Sequence, residues 1–157
     1  MQRMYSATLL VHSLLRWVVL GAGLAAAGRG IAGWSGRPWT AADARAGLIF
    51  IIAVDIQLLI GLLLYVVLSP NVGLAIQNPA AAMRDPVLRF FFVEHMLGML
   101  IAVVLAHVGR ARSKGASRTD VSRHRSAAIF FGLALVIMLA SIPWPFMPAG
   151  RPLFPWS

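Results

Sequence analysis

Cysteine is absent from this 157-residue sequence, and aspartate and glutamate together number only 5. Without cysteine the chain cannot form disulfides, thiolate metal sites, iron–sulfur clusters or a covalently attached c-type haem. Any metal must therefore be held by His, Met, Asp or Glu. The sequence also lacks a nucleophile–base–orienter set, a G-x-S-x-G motif and a P-loop, so it gives no support to hydrolysis.

Charged residues make up 12% of the chain, whereas 59% of its residues are hydrophobic and the mean hydropathy is +0.79. These values exclude an ordinary soluble domain and indicate an integral membrane protein. The net charge of +9 does not indicate nucleic-acid binding, because the basic residues fall between apolar runs and no soluble module presents a basic face. The partner that this composition predicts is the lipid bilayer.

Four apolar segments are long enough to cross a bilayer, at about 7–27, 46–68, 86–108 and 126–142. The third begins with Asp85 as a predicted N-cap and Pro86 at the first helical position, and Gly109 marks its predicted end. Segment 71–84 has a proline in its middle and is interpreted as a loop with room for a short interfacial helix on either side. Four spans with short connections predict an all-α, integral membrane, up-and-down four-helix bundle in a single domain, 1–157.

The connections carry cap signals. Thr40 and Asp43 form a predicted cap pair, so the second helix should begin near Thr40. Residues 110–125 are predicted to form a solvated basic loop in which Thr119 or Asp120 caps the last helix.

Lysine and arginine are distributed unequally between the two sides of the predicted bundle. The connections after the first and third spans hold nine of them, namely Arg29, Arg37, Arg45, Arg110, Arg112, Lys114, Arg118, Arg123 and Arg125. The other side holds four, namely Arg3, Arg84, Arg89 and Arg151. The positive-inside rule therefore predicts a bacterial inner-membrane protein with loop 110–125 in the cytoplasm and both termini in the periplasm. The N-terminus resembles a signal peptide, but His12 and Arg16 interrupt its apolar run, which favours a retained first span.

Two histidines fall at the same predicted depth. His12 lies five residues below the start of the first span, and His95 lies five residues below Phe90, which places both imidazoles ~7 Å below the outer boundary. Two neutral imidazoles on facing helices are what a membrane b-type haem requires. The sequence predicts His12 and His95 as metal ligands of one haem b, with Gly98 leaving room for the flat ring and Arg89 available to its propionates.

The first span also contains Arg16, one helical turn below His12. Glu94 and Asp55 are the spanning carboxylates, and a buried pair of Arg16 with either would relieve the cost of its burial. Gln57 belongs to the same predicted polar seam. A structural ion pair and a proton-handling or quinone-side role both remain open, and Arg16 and Glu94 are included in the predicted cofactor site.

A second haem is a minor alternative. His107 and His124 both lie near the predicted cytoplasmic boundary, but His95 and His107 are twelve residues apart, ~120° on a helical wheel. His124 falls within the predicted basic loop. Both are therefore interpreted as interfacial polar residues.

Several segments resemble one known family. They are HSLLRW (12–17), DIQLLIGLLLY (55–65), AAMRDPVLRFFFVEH (81–95), AHVGRAR (106–112), IFFGLAL (129–135) and ASIPWPF (140–146). Together they resemble small bacterial four-span membrane proteins loosely labelled cytochrome b. The resemblance implies a haem-binding electron-transfer protein. The positions that match its polar pattern are His12, Arg16, Gln57, Glu94 and His95, whereas Asp55 and His107 depart from it.

The sequence thus predicts a membrane-embedded b-type cytochrome or redox subunit, carrying one bis-histidine haem near the periplasmic side. It would exchange electrons with quinol or a periplasmic redox partner, as part of a larger membrane complex or a homo-oligomer, and no catalytic residue is assigned. Two alternatives stay open. One is a haem-free accessory or structural subunit, and the other is a small proton channel or transporter that uses Arg16, Asp55 and Glu94.

Overall fold

The computed structural model describes residues 1–115 and 117–154, and all regular secondary structure in them is helical. The helices, numbered in chain order, are α1 (Gln2–Ala32), α2 (Ala41–Leu68), α3 (Pro70–Gln77), α4 (Pro79–Ala82), α5 (Pro86–Lys114) and α6 (Asp120–Ala140). The four long helices, α1, α2, α5 and α6, are each long and apolar enough to cross a membrane.

These four helices form the predicted bundle. Helices α1 and α5 each pack against both α2 and α6, so α1 and α5 occupy opposite corners. The rings of Phe50 on α2 and Phe131 on α6 meet edge to face, with centroids 5.4 Å apart, and both are buried. Elsewhere the core contains many alanines, which allow helices to approach closely where no hydrophobic effect drives them together.

The helix starts follow their local sequence signals. Thr40 and Asp43 form a capping box, in which the Thr40 hydroxyl accepts from the Asp43 amide and the Asp43 carboxylate accepts from the Thr40 amide. Asp85 caps α5 with Pro86 in its first turn, and Thr119 caps α6. The predicted short helices of segment 71–84 are α3 and α4, which lie on either side of Asn78, and Pro79 begins α4.

Three predictions about helix boundaries differ from the structure. Helix α5 does not end at Gly109 but continues to Lys114. Gly109 is instead a point of close packing between α5 and α6, since a Cβ there would lie 2.8 Å from Phe130 Cβ. Since α6 begins at Asp120, most of residues 110–125 are helical rather than a solvated loop. The last helix ends at Ala140, two residues before the predicted limit of 142.

Two π-helical turns interrupt the regular hydrogen bonding of the bundle. One, Leu64–Leu68, ends α2, and the other, Phe90–Glu94, lies early in α5. Such turns expose carbonyl groups and occur often at functional sites. Here the Tyr65 hydroxyl donates to the Phe92 carbonyl at 2.8 Å and joins the two turns.

Asp43 holds the start of α2 to the end of α1. Its side chain is 1% exposed, and its carboxylate accepts from Arg29 at 2.8 Å and from Arg37 at 2.7 Å. The hydrogen bond to Asp43 raises the pKa of Arg37 above its ordinary value. One carboxylate thus caps a helix and neutralises two cations.

We expect Asp43→Ala to destabilise the protein by about 2 kcal/mol, because it removes a capping box and charge-assisted hydrogen bonds together. Unfolding by denaturing detergent measures the loss. Asp120→Ala is the matched control. The Asp120 side chain is 46% exposed and its ion pair with Arg123 is long, at 3.8 Å, so this substitution should cost less than about 0.5 kcal/mol. Equal losses in the two variants would contradict a special role for Asp43.

Candidate functional site

A cavity of about 150 Å³ lies in the half of the bundle that contains the start of α1, the end of α2, the start of α5 and the end of α6. Its walls are mostly aliphatic and aromatic. The polar groups that matter for its chemistry belong to Tyr5, His12, Arg16, Gln57, His95 and Arg151. No carboxylate from the described residues lines it, so its lining combines two imidazoles with two guanidinium groups.

The imidazoles of His12 and His95 meet in this cavity. Their ring centroids are 6.3 Å apart and the ring planes are inclined by 71°. Because His12 is on α1 and His95 on α5, the two rings meet across the diagonal of the bundle. The structure thus brings the two predicted ligands to a common level.

Hydrogen bonds assign the same tautomer to both rings. His95 Nδ1 lies 2.7 Å from the Ser141 carbonyl, which can only accept, so Nδ1 carries the proton and Nε2 the lone pair. The Gln57 amide donates to the His12 carbonyl at 3.0 Å and lies 3.3 Å from His12 Nε2, which makes this Nε2 an acceptor as well. Each ring therefore presents an unprotonated Nε2, the form that binds a metal.

The neighbours of the two rings define their space. Phe90 and Phe91 lie beside His95, with centroids 5.9 and 6.5 Å away. Gly61 on α2 faces His12, and a Cβ at this position would lie 3.2 Å from His12 Cε1. Glycine at 61 therefore leaves room for the imidazole.

The C-terminal segment supplies contacts that the sequence did not predict. Arg16 donates to the Leu153 carbonyl at 2.8 Å, and Arg151 donates to the Tyr5 hydroxyl at 2.9 Å while its guanidinium lies 4.6 Å from the centroid of the Phe91 ring. The Nε atom of Arg16 is buried and has no hydrogen-bond partner among the described residues. One sequence feature could have pointed to Arg151 as a site residue: it is the one charged residue after position 125.

Glu94 and Arg89 lie outside the cavity. They form an ion pair at 2.6 Å, with side chains 47% and 41% exposed. A π-helical turn places residues five apart beside one another, and the turn Phe90–Glu94 brings these two together. The structure therefore does not place Glu94 beside Arg16, nor Arg89 beside the two histidines.

The predicted seam of Arg16, Asp55 and Glu94 is wrong. Asp55 Oδ1 lies 3.4 Å from His107 Nε2 on the outside of the bundle, with both side chains nearly half exposed. Each of the three groups thus has a different partner. They provide no connected path for a proton.

The remaining predicted residues also lie outside the cavity. Gly98 contacts the Ser141 side chain between α5 and α6 and does not line the cavity. His124 is not in a solvated loop but fully buried on α6, against Gly33 and with its ring centroid 4.8 Å from that of Trp39. Because His107 pairs with Asp55 instead, the structure does not bring His107 and His124 together.

No family model, curated protein or solved structure matches this chain. The family resemblance of its sequence therefore stays a prediction. Within residues 1–115 and 117–154, no group of three or more His, Asp or Glu side chains could hold a bare metal ion. A haem makes a smaller demand, since the porphyrin supplies four nitrogens and the protein only the axial ligands.

Proposed function

We propose that this protein is a membrane b-type cytochrome in which His12 and His95 hold one haem b through their Nε2 atoms. The observation that carries the proposal is the distance between the two rings. A metal–imidazole bond is about 2.0 Å long, so imidazoles on opposite sides of one iron have centroids roughly 6 Å apart. The observed separation is 6.3 Å.

The donor chemistry supports the same assignment. Both imidazoles carry their proton on Nδ1, and the carbonyl that accepts from His95 Nδ1 would orient this ring and increase its basicity. Gln57 restrains His12 by donating to the His12 backbone carbonyl, and its amide lies beside Nε2, the atom that would hold the haem.

The two cavity arginines take the role that the sequence gave to Arg89. Arg16 and Arg151 both line the cavity, and no carboxylate of the described chain neutralises them there. Guanidinium groups bind carboxylates as paired donors, which suits haem propionates. The Nε atom of Arg16 has no partner among the described residues and is therefore a donor available for this purpose.

Bound haem, held by His12 and His95, would supply one-electron chemistry suited to electron transfer. Aliphatic and aromatic walls would exclude water from the site. The proposal extends to the bacterial inner membrane, with the site on the periplasmic side and with quinol or a periplasmic protein as electron partner. The chain would act alone, as a homo-oligomer or as a redox subunit of a larger complex.

A visible spectrum tests this function. Protein purified from haem-replete cells should be red, with a reduced-minus-oxidised α-band and about one haem per chain. A folded, colourless preparation that also takes up no added haemin would overturn the proposal and favour a haem-free accessory subunit. Proton flux into liposomes that is lost in Glu94→Gln would instead favour a channel or transporter.

A further inference from the structure

A groove of about 310 Å³ lies at the opposite end of the bundle from the histidine pair, between the last turns of α5 and the first turns of α6. Arg112 and Arg125 stand at its sides. Its hydroxyl groups belong to Thr119, Ser122 and Ser126, and its apolar lining belongs to Val121, Ile129 and Phe130. It has no part in the proposed haem site.

Both groove arginines keep their hydrogen-bond donors available. The guanidinium of Arg112 lies 5.5 Å from the centroid of the Phe130 ring, and that of Arg125 lies 5.7 Å from the Trp34 ring. Neither donates to an acceptor among the described residues. Stacking on an aromatic face positions each guanidinium while leaving its N–H groups free for an anion.

No carboxylate from the described part of the chain lines the groove. The nearest carboxylate in sequence, Asp120, pairs with Arg123 and does not line the groove. Ser122 accepts from Arg118 at 3.3 Å, which adds a third cation to the edge of the groove. Two of the other arginines at this end, Arg29 and Arg37, are paired with Asp43.

Apolar residues continue from this cationic site along the outer surface of the bundle. Ile129, one helical turn beyond Arg125, is 45% exposed on the surface of a helix long and apolar enough to cross a membrane. A free anion would make no contact with these apolar residues, whereas a phospholipid has both a phosphate and acyl chains. Basic pockets at the cytoplasmic ends of spanning helices suit anionic headgroups, and the positive-inside rule predicts this end to be cytoplasmic.

We infer that this groove binds one anionic phospholipid of the bilayer, with Arg112 and Arg125 on its phosphate and with Val121, Ile129 and Phe130 against the upper acyl chain. Serine and threonine hydroxyls of the groove supply neutral donors to the same headgroup. The site ties the connection between α5 and α6 to the membrane surface.

Native mass spectrometry of the detergent-solubilised full chain, titrated with phosphatidylglycerol or phosphatidylcholine, tests the inference. We expect one phosphatidylglycerol to be retained tightly. Since each basic residue near the surface contributes about 1 kcal/mol, Arg112→Gln with Arg125→Gln should raise its dissociation constant roughly thirtyfold. The matched control is Arg45→Gln with Lys114→Gln, which removes two exposed charges from the same end but outside the groove.

Each outcome decides the matter. A loss of affinity confined to the groove variant supports the site, provided that circular dichroism shows both variants folded. Equal losses in the two double variants would replace it with diffuse surface attraction. Equal retention of phosphatidylcholine, or competition by inorganic phosphate at the same concentration as the lipid, would overturn the assignment to an anionic lipid.

Discussion

Replacing either His95 or His12 with alanine should abolish the low-spin haem spectrum of the purified protein and lower its haem content more than tenfold. Loss of a residue that merely supports a metal ligand already costs tenfold or more in affinity, and the ligand itself is worth no less. Each substitution removes one of only two protein donors and leaves a space the size of an imidazole. Added imidazole should therefore fill this space and restore the low-spin spectrum in either variant.

His107→Ala is the matched control for these variants. His107 lies on α5 as His95 does, but its side chain is 47% exposed and pairs with Asp55 outside the cavity. Its replacement should leave the spectrum unchanged. A haem signal that survives in both His12→Ala and His95→Ala, or that depends on His107, would refute ligation by the histidine pair.

The parts of this structure that follow from local sequence were predictable. Caps depend on neighbouring residues alone, and the capping box at Thr40 and the N-cap at Asp85 formed as their patterns indicated. The meeting of His12 and His95 needed only the count of residues from one membrane boundary along two parallel spans. The second inference uses the regular rise of a helix and the small range of lengths that a bilayer imposes on a span.

The C-terminal contacts were not predictable in this way. Residues 143–154 carry no helical or strand period, so nothing in the sequence tells which way the segment turns. In the structure it folds over the cavity end of the bundle, and Arg16 finds a backbone carbonyl at Leu153 instead of a carboxylate. Any polypeptide segment offers such acceptors, and residue type therefore gives no signal for them.

The partner of Glu94 was mispredicted for a different reason. A regular α-helix places residues three or four apart on one face, and this spacing leaves Arg89 and Glu94 on different sides. The π-helical turn Phe90–Glu94 changes the local period and brings them together at 2.6 Å. Such turns have no clear sequence signature, and a helical wheel drawn through one misassigns its side chains.

Replacement of Gly30 with valine should strongly destabilise the protein. Helix α1 crosses α6 here so closely that a Cβ on Gly30 would lie 2.5 Å from the Ala128 amide nitrogen and 3.0 Å from its Cα. These are backbone atoms, which cannot rotate away as a side chain could. The helices must separate, so we expect a loss of at least about 3 kcal/mol, at the upper end of the overpacking range.

Gly28→Val on the same helix is the matched control, because a Cβ on Gly28 meets nothing within 4 Å. Valine has a higher helix propensity than glycine, and the change at position 28 should alter stability by less than about 0.5 kcal/mol. Unfolding of both variants in denaturing detergent measures the difference. Equal stabilities would mean that α1 and α6 are not in backbone contact at Gly30, whereas a large gap would show that one glycine sets how closely the helix carrying His12 packs on its neighbour.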